Sequence, residues 1–331
     1  MPLLIDFKEI GGKVRERIVK ITIIGAGNIG SLLGALLTRS GQDVTLVELR
    51  EDIIAAVRNE GIRIDMSNGQ SVHAMVKITD DIRSLDAADL VILAVKAYST
   101  RIALEGARSI VGKDTWVMSV QNGAGNIENI TEVLGYNSNV IGGVFFCVVT
   151  PIRPNQLSWV VGTGGLKIGP VNGVMSSKVE EIAEIFRKTG LSVDTSIRVQ
   201  ELIWSKVLQN VPLALSAALR LTNDEFVIYP HARELIIRMA QECLAVAKAM
   251  GIDLYQQEDP IEKLLETLQK FHDSGTRPKS SMLQDLERGR KTEIDAINGS
   301  IVREGKRLGI QTPVNEVMAM LVKLQEEKYC T

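Results

Sequence analysis

The chain has 331 residues, of which 45% are apolar and 24% are charged, a composition typical of a globular protein long enough for two domains. Its 38 basic and 40 acidic residues give a net charge of −2, which argues against a nucleic-acid-binding or membrane-binding protein. Three cysteines without metal-ligand or disulfide spacing favour a reducing compartment, and we expect a cytoplasmic protein.

Residues 20–195 predict an α/β domain, preceded by an N-terminal extension, residues 1–19, that lacks the apolar stretch of a signal peptide and has no assigned function. In this domain short β-branched runs alternate with segments of helical periodicity. The strands are predicted at Ile21–Ile24, Val44–Val47, Leu90–Val95 and Thr115–Ser119. The helices are predicted at Ile29–Arg39, Ile53–Asn59, Thr100–Ile110 and Ile127–Leu134. This alternation predicts a parallel sheet with helices on both faces.

Beyond Asn139 the pattern changes twice. Three apolar runs separated by proline and glycine predict further strands, in antiparallel pairing, that extend the sheet: Val140–Val149, Leu157–Val161 and Leu166–Ile168. Residues 196–331 instead have long stretches with a period of 3.6 residues, which predict an all-helical domain. Its helices are predicted at Glu201–Leu219, His231–Met250, Ile261–Phe271, Thr292–Leu308 and Val314–Glu326. Because no linker-like tract separates the two domains, we expect them to pack closely over a shared cleft.

A glycine pattern follows the first predicted strand and opens the first predicted helix. Gly25 permits a tight turn, Gly27 lets the backbone approach a pyrophosphate, and Gly30 lets the helix pack against the strand. Asn28 and Ile29 begin the helix, whose first N–H groups would bind the phosphates. In this position the pattern predicts a Rossmann-type, doubly wound dinucleotide-binding domain, in preference to a glycine-rich turn without a ligand.

Glu48 ends the strand Val44–Val47, where a carboxylate would accept hydrogen bonds from the ribose hydroxyls. A carboxylate there repels a 2′-phosphate, so Glu48 favours NADH over NADPH. Arg50 lies two residues later and would instead bind a 2′-phosphate, so the choice between the two cofactors stays open. A solvated charge at the end of a strand is the alternative interpretation of Glu48.

Four further segments resemble, in the same order, segments of the ketopantoate reductases: Val95–Tyr98, Val120–Asn126, Trp204–Asn210 and Ser280–Gly299. The resemblance extends from about residue 20 to 327, and the last of these segments is its most specific part. Members of this family reduce 2-dehydropantoate to (R)-pantoate with a nicotinamide cofactor, usually the phosphorylated one, in pantothenate biosynthesis. The resemblance therefore implies an NAD(P)H-dependent reductase of a small 2-oxo acid.

Lys206 lies in an otherwise largely apolar helical segment. From the residues alone, a lysine that extends to solvent is the favoured interpretation. The resemblance implies instead that Lys206 is the general acid that protonates the keto oxygen. Asn210 follows one turn later on the same helical face, so both side chains would reach one small ligand. A surface amide is the alternative interpretation of Asn210.

The resemblance implies five more site residues. Glu293 would be an active-site carboxylate, although its predicted place early in a helix also fits a residue that stabilises the helix N-terminus. Ser281 would contact the substrate carboxylate, although it or Ser280 would equally serve as a helix cap. Asn223 would bind substrate. Asn122, at the carboxyl edge of the sheet, would lie near the nicotinamide and the substrate, with the cofactor-binding Lys96 nearby, and a plain turn is its alternative.

The sequence departs from the family pattern at two places. Ala214 and Leu215 replace an asparagine and a proline, and Pro278 replaces another asparagine. A proline occurs earlier instead, at Pro212, where it cannot donate to the carbonyl of Leu208 and should kink the helix near the pocket. The loss of two amides predicts a less polar pocket. Because hydrogen-bonding groups discriminate strongly between polar substrates, this loss favours another branched or bulky 2-oxo acid over 2-dehydropantoate.

Three functions therefore stay open. The first is the reduction of 2-dehydropantoate, and the second is an NAD-dependent (R)-2-hydroxy acid dehydrogenase of the same family that acts on another branched or bulky 2-oxo acid. A dinucleotide-binding sensor without catalysis is the third, and a retained proton donor argues against it. The apolar helices of the second half serve either a homodimer interface or only the domain core.

Overall fold

The computed structural model describes residues 18–162, 164–255, 258–275, 277 and 279–330. The chain divides into two compact units. The first comprises the chain up to Gln121 together with Ile127–Val199, and the second comprises Asn122–Asn126 together with the chain from Gln200 onwards. Most of the N-terminal extension, and Pro278, lie outside the described residues.

The first unit contains a large, mainly parallel sheet. Its strands in chain order are β1 (Lys20–Ile24), β2 (Asp43–Val47), β3 (Ile62–Met66), β4 (Ser71–Ala74), β5 (Lys77–Thr79), β6 (Leu90–Leu93), β7 (Trp116–Ser119), β8 (Val140–Phe145), β9 (Val148–Arg153), β10 (Gln156–Val160), β11 (Leu166–Pro170) and β12 (Val193–Thr195). Eight of these described strands form one sheet in the order β12-β11-β8-β7-β6-β1-β2-β5, with antiparallel pairing between β8 and β11. Every residue of the central strand β6 is buried, as expected for a strand covered on both faces. The predicted α/β class is confirmed.

A second sheet, in the order β4-β3-β10-β9, was not predicted. The predicted run Val140–Val149 divides, because β8 continues the large sheet whereas β9 leaves it. The expectation that β9 and β10 extend the large sheet was therefore wrong. The reason is that β10 pairs in parallel with β3, a strand from much earlier in the chain, and buries only alternate residues.

The helices of the first unit are α1 (Asn28–Arg39), α2 (Glu51–Glu60), α3 (Thr100–Gly106), α4 (Asn126–Leu134) and α5 (Ser177–Arg187). Helix α1 contacts β1 and β2 of the large sheet and β3, β4 and β9 of the small sheet. Its residues from Gly30 to Leu37 are all buried. Gly34 allows this close packing, because a Cβ atom there would lie 2.9 Å from the Leu46 side chain. Packing against both sheets fixes the position of the helix N-terminus.

The described part of the second unit consists of helices and turns, without a strand, which confirms the predicted helical half. The helices are α6 (Val199–Asn210), α7 (Leu213–Leu219), α8 (Pro230–Ala249), α9 (Pro260–Asp273), α10 (Ser281–Glu287), α11 (Asn298–Leu308) and α12 (Pro313–Tyr329). The helix predicted at Glu201–Leu219 is not continuous: instead of the expected kink at Pro212 the structure has a full break, since α6 ends before this residue and α7 begins after it. The Val211 carbonyl next to the break accepts a hydrogen bond of 3.3 Å from Asn298 Nδ2.

One predicted helix start was wrong. The helix expected from Thr292 begins at Asn298, and the residues before it form a turn. In this turn the Glu293 carbonyl accepts hydrogen bonds from Ala296 N and Ile297 N at 3.0 and 3.1 Å. Glu293 therefore lies outside the helix, and the alternative that it stabilises a helix N-terminus from the first turn does not apply.

By length and composition alone, one stretch in the described part of the chain could cross a membrane, Val199–Leu219, with a mean hydropathy of 1.2. Half of its most apolar window is buried within the protein. The break at Pro212 also divides it into two shorter helices. These properties are typical of a core segment, so the stretch is weak support for a membrane span.

Candidate active site

The turn between β1 and α1 places the predicted glycines as a dinucleotide site requires. Gly25 has a φ of +100°, and a Cβ atom there would lie 2.8 Å from Val95 N. A Cβ atom at Gly30 would lie 1.9 Å from the Gly25 carbonyl oxygen, so the first turn of α1 packs directly on the loop. The Gly25 N–H donates to the Val47 carbonyl at 2.8 Å, which joins the loop to the end of β2.

Gly27 is the N-cap residue of α1 and differs from the other two glycines. A Cβ atom at Gly27 would have no protein atom within 4 Å, so the space in front of the helix N-terminus is open. The first N–H groups of α1, starting at Asn28 and Ile29, have no partner within the helix and can bind an anion in that space. The Asn28 side chain donates to the Val149 carbonyl at 3.2 Å, so the backbone of Asn28 is what it can offer to a ligand. These residues fit a dinucleotide pyrophosphate.

Glu48 links the glycine loop to the loop after β2. Its Oε2 accepts a hydrogen bond from Ala26 N at 3.0 Å, and its Oε1 accepts from Leu49 N and Arg50 N at 2.9 and 3.1 Å. Each carboxylate oxygen has about two acceptor positions, so Oε2 keeps one for a ribose hydroxyl. The alternative of a merely solvated charge is therefore wrong, because three backbone groups hold this carboxylate in place.

Arg50 is exposed and forms a forked ion pair with Asp52. The Arg50 Nε and Nη2 atoms lie 3.1 and 2.5 Å from the two Asp52 carboxylate oxygens. The Arg50 guanidinium, through this hydrogen bonding, holds the pKa of the Asp52 carboxyl below its usual value. The positive charge expected to bind a 2′-phosphate is therefore already paired.

Lys96 lies three residues after the end of β6 and is half-buried. Its neighbour Val95 is fixed by Gln121, whose Nε2 donates to the Val95 carbonyl at 2.9 Å and to Thr100 Oγ1 at 2.7 Å. Gln121 thus joins the carboxyl ends of β6 and β7. Gln121 was not among the predicted site residues, and its place next to Asn122 was the signal that could have indicated it.

Exposed apolar side chains lie beside the carboxyl ends of the strands that flank β1. Leu49 follows β2 and is 81% exposed, and Tyr98 and Ile102 follow β6 and are also exposed. Leu49, Tyr98 and Ile102 were not among the predicted site residues. Large exposed apolar side chains at a ligand-binding edge are a useful signal of a flat apolar ligand group, although singly they are common on protein surfaces.

The turn Asn122–Asn126 belongs to the helical second unit and packs on the turn that carries Glu293. Ala124 N donates to the Ala296 carbonyl at 2.8 Å, and a Cβ atom at Gly123 would lie 2.4 Å from the same oxygen. Asn122 Nδ2 lies 3.5 Å from Glu293 Oε2, at the outer limit of a hydrogen bond. The structure therefore brings together two predicted site residues that are far apart in the sequence.

Glu293 is a buried carboxylate, 6% exposed. Removing a carboxylate from water costs free energy unless polar groups hydrogen-bond to it. A buried carboxylate such as Glu293 is therefore expected to have a structural or functional role. The buried residues Thr292 and Ile294 flank it in the turn. A buried carboxylate next to an amide can orient a lysine or accept a hydrogen bond from a ligand.

Helix α6 carries Lys206 and Asn210 four residues apart, and therefore on one face. Lys206 is half-buried, whereas Asn210 is 9% exposed, so the alternative of a surface amide is wrong for Asn210. Within the described residues the Asn210 side chain has no hydrogen-bond partner. The side-chain amide of Asn210 is therefore available to hydrogen-bond a ligand.

Asn223 and Ser281 lie on other elements of the helical unit. The Asn223 Oδ1 atom is buried and has no hydrogen-bond partner among the described residues. Ser280 is the cap of α10, since its hydroxyl oxygen accepts from Leu283 N at 3.1 Å. Ser281 is exposed and not needed as the cap, which leaves its hydroxyl available to a ligand.

The two residues that replace the family's asparagine and proline, Ala214 and Leu215, are both fully buried in α7. Their side chains thus belong to the core of the helical unit. The prediction that their apolar character makes the pocket less polar has no support from accessible surface at these positions. The third substituted position, Pro278, lies outside the described residues.

Comparison with protein families gives two matches that together cover most of the chain. The model described as "Ketopantoate reductase PanE/ApbA" matches residues 21–173, and the model of the family's C-terminal domain matches residues 198–326. A curated 2-dehydropantoate 2-reductase from Pyrococcus horikoshii is 34% identical over 93% of this chain and 98% of its own length. A relative of the same name from Archaeoglobus fulgidus is 31% identical with the same coverage.

Solved structures of similar fold and sequence include a member of the same family. A PanE/ApbA family ketopantoate reductase from Ralstonia eutropha matches with a TM-score of 0.82 and 31% identity, over 94% of this chain and 99% of that one. A ternary structure of D-mandelate dehydrogenase with NADH and anilino(oxo)acetate matches with a TM-score of 0.85 and 26% identity, over the same shares of the two chains. The predicted resemblance is confirmed, and the chain belongs to the ketopantoate reductase family.

Proposed function

We propose that this chain reduces 2-dehydropantoate to (R)-pantoate with a nicotinamide cofactor. The observation that supports this most is Asn210, a largely buried residue whose amide has no hydrogen-bond partner among the described residues, one turn from Lys206 on helix α6. In a member of this family, that pair forms a proton donor and a hydrogen-bonding group for one small polar ligand. The curated relatives named above are 2-dehydropantoate 2-reductases, and this chain matches them over nearly their whole length.

Each site residue has one role in this proposal. The cofactor, when bound, supplies the hydride that reduces the keto carbon. Lys206 donates a proton to the keto oxygen as negative charge develops on it. Asn210 and Ser281 hold the substrate, with Ser281 at its carboxylate, and the buried Asn223 Oδ1 accepts a hydrogen bond from the substrate hydroxyl. Glu293 orients the lysine or the substrate.

The first unit holds the cofactor. Gly27 and the first N–H groups of α1 bind the pyrophosphate, and Glu48 Oε2 accepts a hydrogen bond from a ribose hydroxyl. The exposed Leu49 and Tyr98 side chains offer apolar contact to the adenine. Lys96 is the residue of this unit that we assign to the nicotinamide half of the cofactor, whereas Asn122 belongs to the second unit.

NADH is the preferred cofactor in this proposal. The Glu48 carboxylate is held by three backbone N–H groups and carries a negative charge where a 2′-phosphate would lie. Arg50, the cation best placed to bind that phosphate, is paired with Asp52. Both carboxylates therefore act against NADPH.

Replacing Asp52 with asparagine is expected to move the preference toward NADPH. The change releases Arg50 and removes one negative charge, so kcat/KM for NADPH relative to NADH should rise about fivefold, the effect of one weakly screened charge a few Å away. The measurement is the ratio of the two kcat/KM values at fixed ionic strength. Asp81→Asn, which breaks a similar exposed pair with Arg83, is the matched control and should leave the ratio unchanged. An unchanged ratio in Asp52→Asn as well would contradict the role of Asp52.

A second candidate function is an (R)-2-hydroxy acid dehydrogenase that acts on a bulkier 2-oxo acid. The similarity to a D-mandelate dehydrogenase bound to NADH favours it, as does Glu48. The buried, unpaired Oδ1 atom of Asn223 and the Asn210 amide, which has no partner among the described residues, argue for a substrate with more polar groups than an aryl 2-oxo acid.

Specificity constants separate the two candidates. We expect kcat/KM for 2-dehydropantoate to exceed that for branched or aryl 2-oxo acids without a hydroxyl group by at least about 100-fold, because the unmatched amides penalise those substrates. The opposite order would identify the hydroxy acid dehydrogenase. Binding of cofactor without turnover of any of these acids would indicate the non-catalytic sensor.

The cytoplasm is the proposed location. All three cysteines lie in the described part of the chain, and none of them forms a disulfide. Cys243 is fully buried, and burial raises the pKa of its thiol well above the ordinary value, so it is an unreactive core residue. Thiols of this kind are compatible with a reducing compartment.

A further inference from the structure

The turn that carries Glu293 is not held by regular secondary structure. Between the end of α10 and the start of α11 the residues Thr292–Ile297 form turns, yet Glu293 and its two neighbours are buried. A backbone without a helical hydrogen-bond ladder depends on other groups to fix its conformation. Besides the contact of its own side chain with Asn122, the direction of the Glu293 carboxylate therefore depends on the groups that hydrogen-bond to Thr292 and Ile294.

Glu326, on the last turns of α12, holds the residue directly before Glu293. Its Oε1 atom accepts hydrogen bonds from both the backbone N–H and the hydroxyl of Thr292, at 2.6 and 2.7 Å. The Thr292 Oγ1 atom in turn accepts from Ile294 N at 3.1 Å. One carboxylate oxygen thus fixes the backbone on both sides of Glu293, directly on one side and through a hydroxyl on the other.

The charge and surroundings of Glu326 make these bonds strong. Hydrogen bonds to an ionised acceptor are shorter and stronger than neutral ones, and both bonds to Glu326 are short. Thr292 is 4% exposed, so water cannot readily replace Glu326 as its partner. Glu326 is itself half-buried on the helix side that faces this turn.

We propose that Glu326 is a positioning residue of the reductase, which acts through Thr292 to hold the Glu293 carboxylate in its working orientation. This inference rests on the role of Glu293 in the proposed function. Glu326 does not touch the substrate in this account. Its removal should therefore lower kcat through Glu293 and leave the binding of the cofactor to the first unit unchanged.

The test measures kcat for 2-dehydropantoate reduction, the Kd of the cofactor and the thermal unfolding midpoint in a set of full-length variants. Glu326→Ala should lower kcat on the order of 10-fold, as is typical when a residue that orients a functional group is lost. Glu326→Gln keeps an oxygen that accepts both bonds and should restore kcat to within about twofold of the original protein. Glu327→Ala, at an exposed neighbouring position on the same helix, is the matched control and should change none of the three measured values.

A double variant distinguishes positioning from a general loss of structure. If Glu326 acts through Glu293, the Glu293→Gln/Glu326→Ala protein should be no slower than Glu293→Gln alone, because coupled residues are not additive. Losses that multiply would overturn the proposal, and so would an unchanged kcat in Glu326→Ala. If Glu326→Ala does not fold, Glu326→Asp keeps the charge but draws the oxygen back by one methylene group, and an unchanged kcat in that variant is equally contradictory. Full activity in Glu293→Gln would instead refute the role of Glu293 in the proposed function, and the positioning role with it.

Discussion

Replacing Lys206 with alanine is expected to lower kcat on the order of 10²–10⁴-fold, the usual contribution of a positioned general acid. The half-buried lysine shares a helical face with Asn210, so its loss removes the proton donor but leaves the substrate-binding amide of Asn210 in place. The Kd of the cofactor should stay within about twofold, because the glycine loop and Glu48 belong to the other unit. Stopped-flow kinetics and cofactor titration give both values.

Lys248→Ala is the control for this experiment, because Lys248 is an exposed lysine near the end of α8 in the same unit. It should retain full turnover. Near-normal turnover in Lys206→Ala would remove Lys206 from the mechanism and restore the interpretation of a lysine that extends to solvent.

Alanine at Gly27 and at Gly30 should weaken cofactor binding in two different ways. At Gly30 the new Cβ atom would lie 1.9 Å from the Gly25 carbonyl oxygen, so the loop must move. We expect the Kd of the cofactor to rise on the order of 100-fold, since a displacement of about 1 Å has effects of that size. Overpacking should also lower the free energy of unfolding by about 1–3 kcal/mol.

Gly27→Ala should raise the Kd of the cofactor without a loss of stability. Gly27 has a φ of −71° and a ψ of −169°, which alanine adopts without strain, and no protein atom lies within 4 Å of the new methyl group. The methyl group enters only the space assigned to the pyrophosphate. Isothermal titration and thermal unfolding of the two variants separate the effects, and unchanged cofactor affinity in Gly27→Ala would contradict this placement of the phosphates.

Local patterns in the sequence were sufficient for the parts of the fold that local physics determines. The run at β6 is apolar throughout because helices and neighbouring strands cover both of its faces. The glycine loop was predictable because Gly25 and Gly30 each have a steric requirement within the loop or its adjoining elements, while Gly27 leaves the space before the helix open. A distortion of the helix at Pro212 was predictable because proline has no N–H to donate, although the structure has a full break there instead of a kink.

Features that depend on distant contacts were not predictable. The small sheet exists because β3 and β10, far apart in the chain, pair with each other, and neither has the continuous apolar run of a central strand. The residues Thr292–Ile297 have a helical apolar pattern, but Thr292 bonds to Glu326 and Ala296 bonds to the turn at Ala124. Tertiary hydrogen bonds outweighed the helical propensity of this segment.

In the candidate site, too, some features were predictable from the sequence and others depend on the folded chain. The resemblance located Asn122 and Glu293 in separate segments, and only the folded chain shows that their side chains approach within 3.5 Å. The burial of Asn210 and the pairing of Arg50 with Asp52 also depend on three-dimensional packing and geometry. A single sequence contains no direct record of these distances.

The most direct test of the central claim is the absorbance at 340 nm of the purified protein mixed with 2-dehydropantoate and either NADH or NADPH. We predict rapid oxidation, faster with NADH than with NADPH at equal concentration, and (R)-pantoate as the product. No oxidation of either cofactor, in a protein shown by titration to bind one of them, would contradict the assignment of 2-dehydropantoate as the substrate.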